Sequence, residues 1–582
     1  MHDEPRNELE QRALAAWTPA EPPADFVDRV MRAATTNHAG RVADVLGDIS
    51  VPRLRWPRFV AAAIAAVALA SGITAGIKFW PAPETTTPVE SQRSDADPEP
   101  VSLTPAAAHA PTGEVPADLG EQVDRYMASF GARYGDAFKF QGSVVVRRSG
   151  ELLYSRNFGR ADIATDRPIT DDTPFKIGSL TQQFTAVAVL QLRDQGRLQL
   201  DDPVRKHLPW YPQATVTIRH LLTHSSGIPN YTDSLELTGV KPATRYKPQD
   251  IAAIFKDAPL DFLPGSKFDP SNSGYFLLGM LIEKLAAVPL AGYMQEHVLG
   301  PAGMGRTWVG NQLWLDGDAD ALAAGYTFSE DELLVPAVAY DLSVYGGAAG
   351  MVATPTDLSR WDSALREPGK LLSRASLDEM FSPALDTYGL GWIVMQERGQ
   401  TMVGHPGGVE GFNGAIARYL GDGITVIALA NTEAIDCRDV LDAVAAIAHG
   451  EPVPPFAEHE EVPVSPAMFS RYLGSFRLTP TARTRLAAVV DREDLALMEE
   501  VRIYDDHGRL FMLVPMHGAK WLHGLGEDRF FFKDLAGTIA QFGPPGAPVE
   551  WLRLWQGELE FTLARENETH SDPPSPLAPL AP

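Results

Sequence analysis

The stretch from Thr173 to Ala186 constrains this chain more than any other. It reads Thr173-Pro174-Phe175-Lys176-Ile177-Gly178-Ser179-Leu180-Thr181-Gln182-Gln183-Phe184-Thr185-Ala186. A Pro- and Gly-punctuated extended run delivers a serine to the first turn of an apolar helix. That helix continues through Val187, Ala188, Val189, Leu190 and Leu192 and stops at Gly196. A serine so placed meets the unpaired N–H groups and the positive dipole end of the helix, which favour a developing alkoxide. A lysine one turn on would aim its amine at that hydroxyl and serve as base in a Ser-x-x-Lys pair. Gln182 stands there instead, and a carboxamide cannot take a proton.

The 582 residues allow three or four folding units. A net charge of −25 argues against nucleic acid as a partner and against adhesion to anionic membranes through a basic face. The single cysteine, Cys437, rules out an intramolecular disulfide and reads as a small core residue. No motif implies a metal or redox cofactor.

Residues 1–58 form a polar, Pro-interrupted tail with one short amphipathic helix pattern over 24–31; the composition reads first as a mostly disordered tail with a transient helix, and second as a docking segment for a protein partner. From Phe59 to Ile77 no residue is charged. As a helix this run spans about 28 Å, one hydrocarbon thickness. Arg53, Arg55 and Arg58 precede it, so the positive-inside rule leaves 1–58 in the cytoplasm. The expectation is a transmembrane helix over 59–78, an uncleaved anchor in the bacterial inner membrane. A Pro-rich linker over 79–116 then holds the remainder outside the cytoplasm.

Order returns near Ala117. Gly142–Arg148 and Glu151–Arg156 flank Ser149-Gly150 as a hairpin. The Ser179 helix follows, then a loop with Leu221-Leu222-Thr223-His224-Ser225-Ser226-Gly227, then a second apolar helix opened by Pro270-Ser271-Asn272-Ser273-Gly274-Tyr275. Gly389–Met395, His405–Gly408 and Ile424–Asn431 read as strands with a turn between. A hairpin first, helices in the middle and strands at the end predict a sheet closed by distant segments and covered by a helical insertion, over 117–450. After residue 455 the apolar period changes to two, and short strands bounded by turns predict a small antiparallel barrel or sandwich over 467–565. The tail 566–582 is Pro-rich.

The motifs, taken together, are similar to the serine β-lactamase/penicillin-recognising superfamily, in the class C-like branch with D-alanyl-D-alanine carboxypeptidases and family VIII-type esterases. The resemblance rests on Phe175–Thr181, Leu221–Gly227, Ser271–Gly279, Pro301–Met304, Gly346–Thr354 and His405-Pro406-Gly407-Gly408, in that order. It implies an α/β (α+β) transpeptidase-like domain with an antiparallel sheet. It also implies Ser179 as the acylated nucleophile, Asn272 as the motif asparagine, and His405, Gly407 and Gly408 as the strand that lines the pocket and binds substrate. The C-terminal strands resemble the lipocalin-like β-module often appended to such domains.

Two positions depart from that pattern. Gln182 replaces the lysine that activates the serine, and Pro270 replaces the proton-relaying tyrosine of Tyr-x-Asn. Serine attacks poorly without a base. His405 is the best substitute base, since neutral imidazole suits the task. Lys176, in extended chain, points elsewhere; His224 reads as structural and Lys267 as an exposed loop lysine. The leading expectation is a pseudoenzyme that binds peptidoglycan-like peptides or small ester or amide ligands. The alternatives are a slow serine hydrolase using Ser179 and His405, and a structural envelope protein.

Overall fold

The Ser149-Gly150 turn folds as its sequence predicts. Strands β1 (Gly142–Arg148) and β2 (Glu151–Phe158) pair antiparallel across it. Ser149 and Gly150 take φ 50° and 91°, the left-handed pair that a two-residue hairpin requires. The structure, a computed structural model, describes residues 115–566 apart from 311–321, 330, 386, 434, 457, 487–498, 515–517, 534–537, 545–547 and 557–558. The helix pattern at 24–31, the apolar run 59–77, nearly all of the Pro-rich linker and the tail from 567 lie outside the described residues. Among the described residues no single helix is long and apolar enough to cross a membrane.

Four further strands complete the main sheet: β3 (Ile393–Glu397), β4 (Gln400–Val409), β5 (Phe412–Tyr419) and β6 (Ile424–Ala430), in the spatial order β3-β4-β5-β6-β1-β2. The pairing of β1 with β6, Val145 opposite Ile427, closes the sheet between distant parts of the chain. Both faces are covered. Helices α1 (Leu119–Met127) and α5 (Cys437–Ala448) pack on Val144, Val146, Val426 and Ala428. The opposite face, with Val145, Ile416, Ile427 and Leu429, packs on the helical region. Burial on two sides explains why β6 reads as an apolar run broken only by Thr425 rather than as an alternation.

At the centre of the helical region lies α2 (Thr181–Asp194), whose residues from Thr181 to Leu190 are all buried. Each fully buried Val, Leu or Phe there contributes roughly 1.5–3 kcal/mol. Gly196, at φ 73°, ends the helix turn. Against α2 pack α3 (Asn272–Ala286) and α4 (Pro355–Leu365); Trp361 of α4 stacks on Phe184 with centroids 4.0 Å apart and donates its indole N–H to Gln183 Oε1.

The C-terminal strands form a second, antiparallel unit. Each of nine segments pairs with its chain neighbour except at one place, and the first, Gly474–Leu478, pairs with the last, Leu559–Arg565. The exception is Gly518–Trp521 and His523–Gly526, which stand at the two ends of the paired order yet are separated only by Leu522. They are halves of one bent strand, so the segments close as an eight-stranded up-and-down barrel. Phe476, Phe530 and Phe542 fill its interior, with centroids 5.4 to 5.7 Å apart.

The stretch 451–466 between the two units is strapped down. Glu458 accepts from the backbone N–H groups of Gly131 and Tyr134, Phe456 stacks on Phe130 at 4.3 Å, and Val462 donates to the Gly524 carbonyl at 2.8 Å. On the barrel, His523 Nε2 lies 2.6 Å from Glu332 Oε1.

Candidate functional site

Ser179 sits in the single 3-10 turn Gly178–Leu180 that feeds α2, with 8% of its surface exposed. Thr181 braces the turn: its hydroxyl donates to the Gly178 carbonyl at 2.7 Å and accepts from Met351 N–H at 3.2 Å. The backbone of β4 passes directly against it. A Cβ at Gly178, whose φ is 53°, would fall 2.5 Å from Gly408 N, and one at Gly407 would fall 2.3 Å from the Ile177 carbonyl oxygen. Glycine at both places lets strand and serine turn touch.

The side chains around the turn form one hydrogen-bonded chain. Gln182, one helical turn beyond the serine, carries an Oε1 that lies 2.9 Å from His224 Nε2 and 3.1 Å from the Tyr388 hydroxyl. Its Nε2 donates to Asn272 Oδ1 at 3.4 Å. Asn272 is held in turn by Thr232 Oγ1 at 2.9 Å and by Asn230 Oδ1, which accepts its backbone N–H at 2.9 Å. The Tyr388 hydroxyl lies 2.8 Å from His405 Nε2, and His405 Nδ1 is 2.6 Å from the Pro406 carbonyl.

Donor and acceptor logic assigns the protons. His224 Nδ1 accepts from Ser271 N–H at 3.1 Å, so its proton is on Nε2 and is donated to Gln182. A carbonyl only accepts, so His405 carries its proton on Nδ1 and presents a lone pair at Nε2 to the phenol. Tyr388 therefore has one proton and two acceptors, the nearer being the imidazole. Pro270 is half-buried beside this chain and brings no donor; Asp269 N–H, next to it, donates to the His224 carbonyl at 2.8 Å.

Burial pushes both histidines down, His224 to about 3 and His405 to about 4; the neighbouring His405 adds to the first shift and the Pro406 carbonyl opposes the second. Burial, followed by Tyr275, holds the Tyr388 phenol well above its ordinary value. At neutral pH the chain is uncharged. Below pH ~6.5 an unfolded histidine binds a proton that the folded one refuses, so stability falls as pH falls, by up to about 1.4 kcal/mol per unit for each histidine. Urea unfolding should thus show a steep loss between pH 7 and pH 5, and His405→Gln should lessen that loss by about 2 kcal/mol. An unchanged pH slope in the variant would contradict the neutral, buried assignment.

Ser179, Gln182, Asn272, His405, Gly407 and Gly408 lie together around the serine turn. Lys176 does not join them; its ammonium lies over the Phe412 ring, 5.6 Å from the centroid. Lys267 is half-exposed and paired with Asp269 at 2.8 Å. Two members of the chain escaped the sequence reading in that role, His224 and Tyr388. Tyr388 directly precedes Gly389–Met395, which reads as a strand in the sequence; β3 begins only at Ile393. Gly391, at φ 80°, presses the intervening loop onto α2, where a Cβ would fall 3.0 Å from the Gln182 carbonyl oxygen. The closely spaced glycines after Tyr388 were the available signal of such an approach. Among the described residues no group of three or more His, Cys, Asp or Glu side chains is placed to hold a metal ion.

The comparisons with known proteins agree with this fold. A family model described as Beta-lactamase matches residues 123–450. Penicillin-binding protein 4* of Bacillus subtilis is 30% identical over 393 residues, covering 63% of this chain and 86% of that protein. Esterase EstB of Burkholderia gladioli is 28% identical over 343 residues, covering 50% of this chain and 85% of that protein. Among solved structures, the octameric penicillin-binding protein homologue from Pyrococcus abyssi superposes with a TM-score of 0.52 at 22% identity, covering 76% of this chain and 99% of that one, a likeness of fold. Since the matched region runs from α1 through the serine turn and the His405 strand to α5, the chain belongs to the β-lactamase family, whose fold here brings the serine, asparagine and histidine-strand motifs together around a glutamine.

Proposed function

We propose that this protein binds peptidoglycan-like peptides or small ester or amide ligands at the Ser179 cleft and does not turn them over at an ordinary enzyme rate. One observation carries the reading: among the described residues no hydrogen bond reaches the Ser179 hydroxyl, and each candidate base is committed elsewhere. The position one turn beyond the serine holds a carboxamide tied to His224, Tyr388 and Asn272. Proton removal by a positioned base is worth ~10²–10⁴-fold, and that contribution is what the site lacks. The helix N-terminus and the apposed β4 backbone are what remain to hold an acyl group. The apolar run 59–77, read from sequence, would tether this domain at the outer face of the inner membrane, where such ligands occur.

The test compares the full-length protein with Ser179→Ala against a p-nitrophenyl ester and a fluorescent penicillin. Ester hydrolysis by the two should be equal within about threefold, while the unmodified protein retains saturable penicillin binding. Ser179-dependent turnover at roughly 1 s⁻¹ or faster would overturn the reading.

A further inference from the structure

Among the described residues, Tyr388 is the phenol that stands in contact with both the α2 residue one turn beyond Ser179 and the β4 histidine. Its placement is built in. The Tyr388 N–H donates to the Leu385 carbonyl at 3.1 Å, and the Tyr388 carbonyl accepts from Ala384 N–H at 2.9 Å. Phe268 and His224 lie against its ring at 5.3 and 4.8 Å between centroids. Gly391 locks the following loop to the backbone of Gln182 itself. A phenol buried in the fold, with one proton and two acceptors in hydrogen-bond reach, Gln182 Oε1 at 3.1 Å and His405 Nε2 at 2.8 Å, has the two stations of a proton conduit already in place.

We propose that Tyr388 supplies the phenol that Pro270 cannot, so that the site is a single substitution, Gln182→Lys, from a reactive serine. The proposal rests on the reading that the cleft admits acyl ligands. In that variant the Ser179 oxygen would bond to the β-lactam carbonyl carbon of a penicillin as the ring C–N bond breaks. The hydroxyl proton would pass to the introduced amine, and a proton would be handed through the Tyr388 hydroxyl to the departing ring nitrogen. The electron pair of the broken bond stays on that nitrogen, and no further reactant is needed.

The experiment measures covalent labelling by a fluorescent penicillin in the full chain, with Ser179→Ala setting the baseline and thermal melts confirming folding. Gln182→Lys alone should label at least ~10²-fold faster than the baseline, the scale of a restored base. Adding Pro270→Tyr should change that rate by less than about threefold. Adding Tyr388→Phe, which removes one oxygen atom, should return labelling at least ~10-fold toward the baseline, while the double variant Gln182→Lys with Tyr388→Phe melts like its Gln182→Lys parent. Labelling that requires Pro270→Tyr, that survives Tyr388→Phe unchanged, or that is absent from Gln182→Lys would each overturn the proposal. If Gln182→Lys does not fold, Gln182→Gly with added ethylamine serves as the second arm: amine-dependent labelling should disappear on Tyr388→Phe, and its persistence would equally defeat the assignment. Turnover by the unmodified protein would strike the binding-only reading and leave this test intact.

Discussion

Asp362→Ala should be among the most damaging single substitutions in the chain, lowering stability by about 3–5 kcal/mol and Tm by on the order of 10 °C. Asp362 lies on the buried side of α4 with no exposed surface. Its carboxylate takes Arg418 Nε at 2.9 Å, Arg366 Nε at 3.1 Å and the Thr425 hydroxyl at 2.9 Å. These contacts tie α4 to β5 and β6. Arg418 is 2% exposed, its Nη1 has no hydrogen-bond partner, and its guanidinium lies 5.6 Å from the Phe381 ring. Removing the carboxylate leaves that cation buried and unpaired, which costs far more than the pair itself is worth.

The double variant Asp362→Leu with Arg418→Met should therefore be more stable than Asp362→Ala, although it has lost more hydrogen bonds. Burial pushes the Asp362 carboxyl up, and the Arg418 and Arg366 charges outweigh it and hold the group below its ordinary value. The stabilisation is accordingly present above pH ~4 and is lost as pH falls through the depressed value. A melt of Asp362→Ala within about 2 °C of the parent would show that water reaches Arg418 and that the pair does not anchor α4 to the sheet.

Gly407→Ala should have the larger effect on the site. Its Cβ would fall 2.3 Å from the Ile177 carbonyl oxygen, 2.6 Å from Leu180 Cδ1 and 2.9 Å from Leu180 N. Two of those three are backbone atoms of the turn that carries Ser179, so relief requires the turn or β4 to move. Overpacking of this kind costs about 1–3 kcal/mol. The movement separates the serine from the strand, and penicillin binding should weaken at least tenfold, about 1.4 kcal/mol. Gly408→Ala is the control for stability, because its Cβ would meet nothing closer than the Phe412 carbonyl oxygen at 3.8 Å. Melting temperatures and binding isotherms for the two variants decide the matter. Equal behaviour would mean that the close approach of β4 to the serine turn is not rigid.

Much of this architecture is legible in one dimension because its causes are local. The Ser149-Gly150 hairpin follows from two residues that accept positive φ, and α2 from an apolar run that ends at Gly196. The barrel strands follow from period-two alternation between turns, as at Asp505–Gly508, where His507 and Gly508 take φ 50° and 78°. The losses at Gln182 and Pro270 are equally local, since each is a residue type read at a fixed offset from Ser179 or Asn272. Those features were determined by the sequence alone.

The hydrogen-bonded chain was decided by the tertiary structure. His224, Gln182, Tyr388 and His405 come from four separate segments, and nothing in the neighbourhood of Tyr388 states which atoms its hydroxyl will face. Its position depends on Gly391 meeting the Gln182 backbone and on the sheet register that sets His405 opposite Ile416. The strapped stretch 451–466 is a similar case: its composition reads as a linker, but Glu458 finds the unpaired N–H groups of the turn after α1. Barrel closure through Leu522 is a third, because a strand that serves two edges is indistinguishable in sequence from one that serves a single edge. Periodicity and turn chemistry act over a few residues and leave their mark in the chain. Long-range hydrogen bonds and close backbone contacts arise only when packing has brought distant segments within about 3 Å.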